Sequence, residues 1–135
     1  MARRKRQRIL NGLKKLKVTI EILEDTEETW VNGEYNPNTN TIQVYYNPNK
    51  KMEIDDILGT LLHEIGHAIQ SRRAEGKPSE YDADLTAAML MGKARYICTL
   101  EKELVEAPSE SITKSVKSHP SFPKRIKKLR DDDSF

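Results

Sequence analysis

The chain has 135 residues, 33% of them charged, with 23 Lys and Arg against 21 Asp and Glu. That length allows one modest hydrophobic core, the formal net charge of +2 excludes a broadly basic protein, and one cysteine excludes an intrachain disulfide. Mean hydropathy is −0.73, no window approaches the roughly eighteen apolar residues of a bilayer span, and no signal-like apolar stretch opens the sequence, so a cytoplasmic location is the default expectation.

Residues 3 to 17 hold eight Lys and Arg and no acid, and Ile9, Leu10, Leu13 and Leu16 form an apolar stripe. Residues 1–16 therefore read as a short basic amphipathic helix. It can pack on the domain with a solvated outer face, the simpler reading, or dock on anionic lipid or nucleic acid. Three strand candidates follow. Lys17 to Leu23 alternates well, Thr29 to Tyr35 is weaker, and Thr41 to Tyr46 is β-branched and aromatic. Asn36-Pro37-Asn38-Thr39-Asn40 is a turn by its chemistry and joins the last two as a hairpin, and Asn47-Pro48-Asn49 ends the sheet.

From Glu53 to Glu75, Ile54, Ile57, Leu58, Leu61, Leu62, Ile65, Ala68 and Ile69 recur at helical spacing. Acids in the first turn, Arg72 and Arg73 in the last, then Gly76 and Pro78, bound that helix. Inside it stands His63-Glu64-Ile65-Gly66-His67. Residues four apart share a face, so His63 and His67 can direct two imidazoles at one ion. Glu64 is offset by about one hundred degrees, near enough to act as general base on a metal-bound water. Two imidazoles suit Zn²⁺, although Co²⁺ or Mn²⁺ can occupy the same ligands. Gly66 is either a tolerated glycine or the mark of another element coming close.

A catalytic zinc needs a third protein ligand. The metzincin pattern would place Gly at 70 and His at 73, where this chain has Gln70 and Arg73. Ser79 to Ala107 reads as a second long helix, N-capped by Ser79, with Leu85, Ala88, Met89, Gly92, Tyr96, Leu100 and Leu104 mostly on one stripe. Near its start, Glu80 and Asp84 share a face. Glu80 is the expected third ligand, with Asp82 as the fallback, and Asp84 the carboxylate that accepts a ligand histidine's other N–H. The plainer alternative is that both acids only favour the helix N-terminus. Cys98, beside Ile97 and Leu100, is expected as a small buried hydrophobe.

His-Glu-Ile-Gly-His followed by Glu80-x-x-x-Asp84 resembles the gluzincins, specifically the catalytic domains of the integral-membrane HtpX-like and CAAX-prenyl-type endoproteases. Those proteases also carry a His-Pro element followed by Arg-Ile-x-x-Leu, similar to Ser118-His119-Pro120 through Arg125-Ile126 and Leu129 here. The likeness covers residues 17–130 without membrane helices and is similar to the minigluzincins, minimal soluble catalytic cores. It implies an α+β minimal zincin fold: a small three-stranded sheet, an active-site helix, a second long helix carrying the third ligand, and flanking terminal helices. Residues 17–130 would be the catalytic domain, between the basic 1–16 helix and a frayed acidic tail, 131–135. The resemblance assigns His119 to the oxyanion or the substrate main chain, with Arg125 nearby lining the cleft. It also assigns one hairpin strand to binding extended peptide.

The reading is a zinc metalloendopeptidase acting on peptides or unfolded protein. Latency is a further expectation, with the N-terminal helix or the 107–119 connection covering the cleft as in a zymogen. One alternative is an ImmA/IrrE-like regulatory protease, which has a similar helix but needs a sensing module for which this chain is short. The other is a non-catalytic, zinc-stabilised module whose basic helix binds nucleic acid, with strongly salt-dependent affinity.

Overall fold

A computed structural model describes residues 2–28, 30–73, 79–106 and 122–132. In chain order these form α1 (Ala2–Lys15), β1 (Thr19–Glu24), β2 (Asn32–Asn36), β3 (Thr41–Tyr46), α2 (Ile54–Arg73), α3 (Glu80–Met91), α4 (Lys93–Glu106) and α5 (Phe122–Asp131). The α+β class and the three-stranded sheet agree with the sequence.

β3 is central, parallel to β1 and antiparallel to β2. Its alternation explains this: Ile42 and Val44 are fully buried while their neighbours are only half-buried. The expected hairpin forms through Asn chemistry. Asn36 Oδ1 accepts from the Asn38 N–H at 2.9 Å, and Asn40 takes the left-handed conformation at φ 50° while accepting from the Tyr35 hydroxyl. Asn47, just past β3, donates to the carbonyls of Thr26 and Glu28 and pins the β1–β2 connection.

α2 lies between two apolar clusters. On one side Ile65, Ala68 and Ile69 meet Val31, Ile42 and Val44, with Leu13 and Leu16 at the margin. On the other, Leu58 and Leu62 meet the group made by α3, α4 and α5, centred on Leu85, Tyr96, Leu100 and Leu129. Its start is capped by Asp56, whose Oδ2 accepts from the Glu53 N–H. α1 packs on the domain as the simpler reading has it: a Cβ at Gly12 would come within 2.8 Å of Ile69 Cγ2.

Three expectations are corrected. The single helix over Ser79–Ala107 is broken at Gly92, whose φ of 103° is costly for any residue with a side chain. A helical stripe runs through the break in sequence, so apolar spacing alone did not reveal it. Cys98 is exposed rather than buried, because α4 turns Tyr96, Ile97, Thr99 and Leu100 inward. The acidic tail does not fray at its start: Asp131 closes α5, and Asp132 accepts from the Tyr81 hydroxyl and, through its carbonyl, from Lys93.

Gly66 is the close approach. A Cβ there would stand 2.7 Å from Ala83 Cα, so α2 and α3 touch backbone to backbone. Gly66→Ala would raise intrinsic helix stability by about 1 kcal/mol but must part the helices, so a net loss of about 1–3 kcal/mol is expected. Thermal unfolding of the metal-free protein checks this, and a raised Tm would show that the helices separate freely.

Candidate metal centre

His63 and His67, one turn apart on α2, set their rings at 4.8 Å and nearly perpendicular. The first residue of α3 closes the group: Glu80 Oε2 lies 2.9 Å from His63 Nε2, and Oε1 lies 3.1 Å from His67 Nε2. What puts Glu80 there is a pair of hydrogen bonds one residue earlier. The Gln70 amide donates to the Ser79 carbonyl at 2.8 Å and accepts from the Ser79 N–H at 3.0 Å. The Ser79 side chain in turn caps α3 through the Asp82 N–H.

Asp84 sits one turn below Glu80, fully buried, and three elements converge on it. Its Oδ1 lies 2.9 Å from His63 Nδ1 and accepts from the Tyr96 hydroxyl at 2.6 Å. Arg125, on α5, donates from Nε to Oδ2 at 2.9 Å and from Nη2 to Oδ1 at 2.7 Å. This bidentate pair is the strong form of the contact and compensates a carboxylate removed from water. The turn at Gly92 makes the tyrosine contact possible. On one straight helix, residues 84 and 96 would lie about 18 Å apart.

Electrostatics follow the contacts. Burial opposes a charged His63, but its bonds to Asp84 and Glu80 win and raise it to about 9. Burial also raises Glu80 and Asp84. The bonds from His63 and His67 to Glu80, and the Arg125 guanidinium with His63 at Asp84, overcome it and hold both well below the usual carboxylate range. Glu64 is buried, and burial pushes its carboxyl up against the pull of the two histidines. β2 covers it closely, since a Cβ at Gly33 would stand 3.2 Å from Glu64 Cγ.

The donor set suits a metal. Ligand atoms of His63, His67 and Glu80 all lie within 4.8 Å of one another. Zinc bonds of about 2.0–2.2 Å in a tetrahedron place ligand atoms roughly 3.3 Å apart, close to the 2.9 and 3.1 Å between Glu80 and the two histidines. Asp84 occupies His63 Nδ1 and leaves Nε2 for an ion.

Of the residues singled out by sequence, the structure brings His63, Glu64, His67, Glu80 and Asp84 together. Asp82 is exposed and serves the helix cap. Arg125 pairs with Asp84, whose other contacts are His63 and Tyr96. His119, the 107–119 connection and residues 133–135 lie outside the described residues. Sequence reasoning missed Tyr96, Gln70 and Glu103. Tyr96 was absorbed into an apolar stripe, although a buried tyrosine hydroxyl always asks for a partner. Glu103, on α4, is raised to about 7 by burial, with Arg125 and His63 partly offsetting it.

Two outcomes follow. In metal-free protein, Asp84→Asn leaves the buried Arg125 uncompensated and should cost about 3–5 kcal/mol in urea unfolding. It should also weaken metal binding roughly ten- to a hundredfold in a competition titration; unchanged stability would show that Arg125 does not depend on Asp84. The folded chain holds the Glu103 proton more tightly than the unfolded chain does. The stability this contributes is full below about 4.5 and lost as pH rises through about 7. Glu103→Gln should therefore exceed wild type by on the order of 2–3 kcal/mol above pH 7 and converge with it near pH 4.5. A gap of equal size at both pH values would rule out this titration.

Among the described residues, no helix is long and apolar enough to cross a membrane. No curated protein and no solved structure matches the chain. A family model, Peptidase family M48, matches residues 72–133, a stretch that holds Glu80, Asp84 and Arg125 and begins after His67. That match, with the triad of possible ligands, supports a metallopeptidase of zincin type.

Proposed function

We propose that the chain is a minimal gluzincin, a zinc-dependent endopeptidase hydrolysing peptide bonds in extended substrates. One observation carries the reading. Two histidines of α2 and the first residue of α3 converge as a donor set, with a buried carboxylate, Glu64, on the same helix beside them. A bound zinc ion would polarise the scissile carbonyl and acidify water. His63, His67 and Glu80 hold it. Glu64 takes the proton from the attacking water and delivers it to the leaving amine. Burial raises its carboxyl, and a carboxylate that holds a proton more tightly than an exposed one is the stronger base.

Asp84, Tyr96 and Arg125 act through His63, fixing which nitrogen is free and how the ring is turned. Arg125 is in this reading a positioning residue. The oxyanion falls to His119 by the resemblance in sequence. The outer member of the hairpin is β2, an edge strand whose Gly33 lies over Thr60 and Glu64. It is therefore the strand to which an extended peptide would add, through main-chain hydrogen bonds with little sequence selectivity.

The test is metal content and hydrolysis of a quenched peptide library, on wild type and on Glu64→Ala. Wild type should carry one zinc per chain and cleave. Glu64→Ala should keep the zinc and lose at least about 10²–10⁴-fold in turnover. Loss of metal together with activity would make Glu64 structural, and cleavage that survives the substitution would remove it from the chemistry.

A further inference from the structure

The sheet has two edges. β2 lies beside the candidate centre, whereas β1 is the far edge and pairs only with β3 among the described residues. An unpaired edge is a template for another strand, and proteins commonly blunt it with proline, a bulge or an inward charge. Over the six residues that pair regularly with β3, β1 has neither proline nor bulge, and its one charge on the face of Ile42 and Val44 is Glu24, at the strand's end. It carries instead an uncovered apolar pair. Ile20 and Ile22 stand in register with Ile42 and Val44 and so share their face. α2 packs under β2 and β3 and buries Ile42 and Val44 completely, but Ile20 and Ile22 remain 43% and 50% exposed.

We propose that β1 pairs antiparallel with β1 of a second copy of this chain, forming a two-fold dimer whose sheet runs continuously through both copies. The charge pattern selects this occupant. Lys14, Lys15 and Lys17 precede the strand, and Glu24, Asp25, Glu27 and Glu28 end or follow it. Antiparallel self-pairing lays the basic end of one copy on the acidic end of the other, whereas parallel pairing would lay like on like. With the axis at Glu21, Ile20 of each copy faces Ile22 of the other, on the same face as α2 but beyond the part that α2 covers. Lys17 of each copy then faces Asp25 of the other. Cross-strand apolar and opposite-charge pairs of this kind stabilise a ladder, and each occurs twice. The same axis sets Glu21 against Glu21 on the opposite face, a like-charge contact that weakens the pair. The β2 edge and the metal centre stay open, because they lie at the other side of the sheet.

Sedimentation equilibrium of the full chain over a wide concentration range tests this, with two variants of opposite expected sign. Wild type should be a concentration-dependent dimer. Ile22→Lys should raise the dimer Kd by about tenfold or more, with circular dichroism unchanged because the side chain is half-exposed. Glu21→Gln removes the repulsion at the axis and should lower Kd severalfold. A wild type that stays monomeric throughout overturns the proposal. So does a dimer indifferent to Ile22→Lys, or one that Glu21→Gln fails to tighten.

Discussion

A carboxylate with no access to water is the constraint around which this small protein is arranged. Asp84 is fully buried, and an uncompensated charge there would cost more than the fold can spare. Its compensation comes from three places in the sequence: Arg125 of α5, the Tyr96 hydroxyl of α4 and the His63 ring of α2. The helices that supply these groups are the ones whose apolar residues make the larger core cluster. Fold and site therefore share one set of contacts. Displacing α5 would strip Asp84 of its guanidinium and, through Asp84, release the ring of a candidate metal ligand.

Backbone proximity is the second requirement. α2 is pressed from two directions, by α3 at Gly66 and by β2 at Gly33. A side chain at either position would push the neighbouring element away. At Gly66 the neighbour is α3, which carries Glu80, so the width of the donor set depends on a missing methyl group. The Gln70–Ser79 pair then sets α3 along α2 at the residue before Glu80. Two short-range devices, one steric and one hydrogen-bonded, bring the third donor to the two histidines.

How much of this was readable beforehand depended on sequence distance. His63, Glu64 and His67 lie within five residues of one helix, so 3.6-residue periodicity places them without tertiary information. Glu80 and Asp84 repeat the argument one helix later, and the hairpin is legible because Asn36 and Asn40 carry their own turn chemistry. The long-range partners were not legible. Tyr96 reaches Asp84 only because the helix breaks at Gly92, and a glycine inside an apolar stripe does not announce whether it will bend the chain. Cys98 failed for the same reason, since its facing depends on the direction α4 takes after that turn. Arg125 was found as a residue of interest, but its pairing with Asp84 is a property of how α5 packs.

The buried charges also balance as a set. Without a metal, protonated His63 and Arg125 offset Glu80 and Asp84, two positive groups against two negative ones. A divalent cation taking the place of the His63 proton leaves one positive charge in excess beside Glu64. That excess favours the ionised carboxylate, against the burial that raises Glu64 when no ion is present. Burial raises the Glu64 carboxyl and a bound divalent ion would lower it, so the two act in opposite senses on the same group.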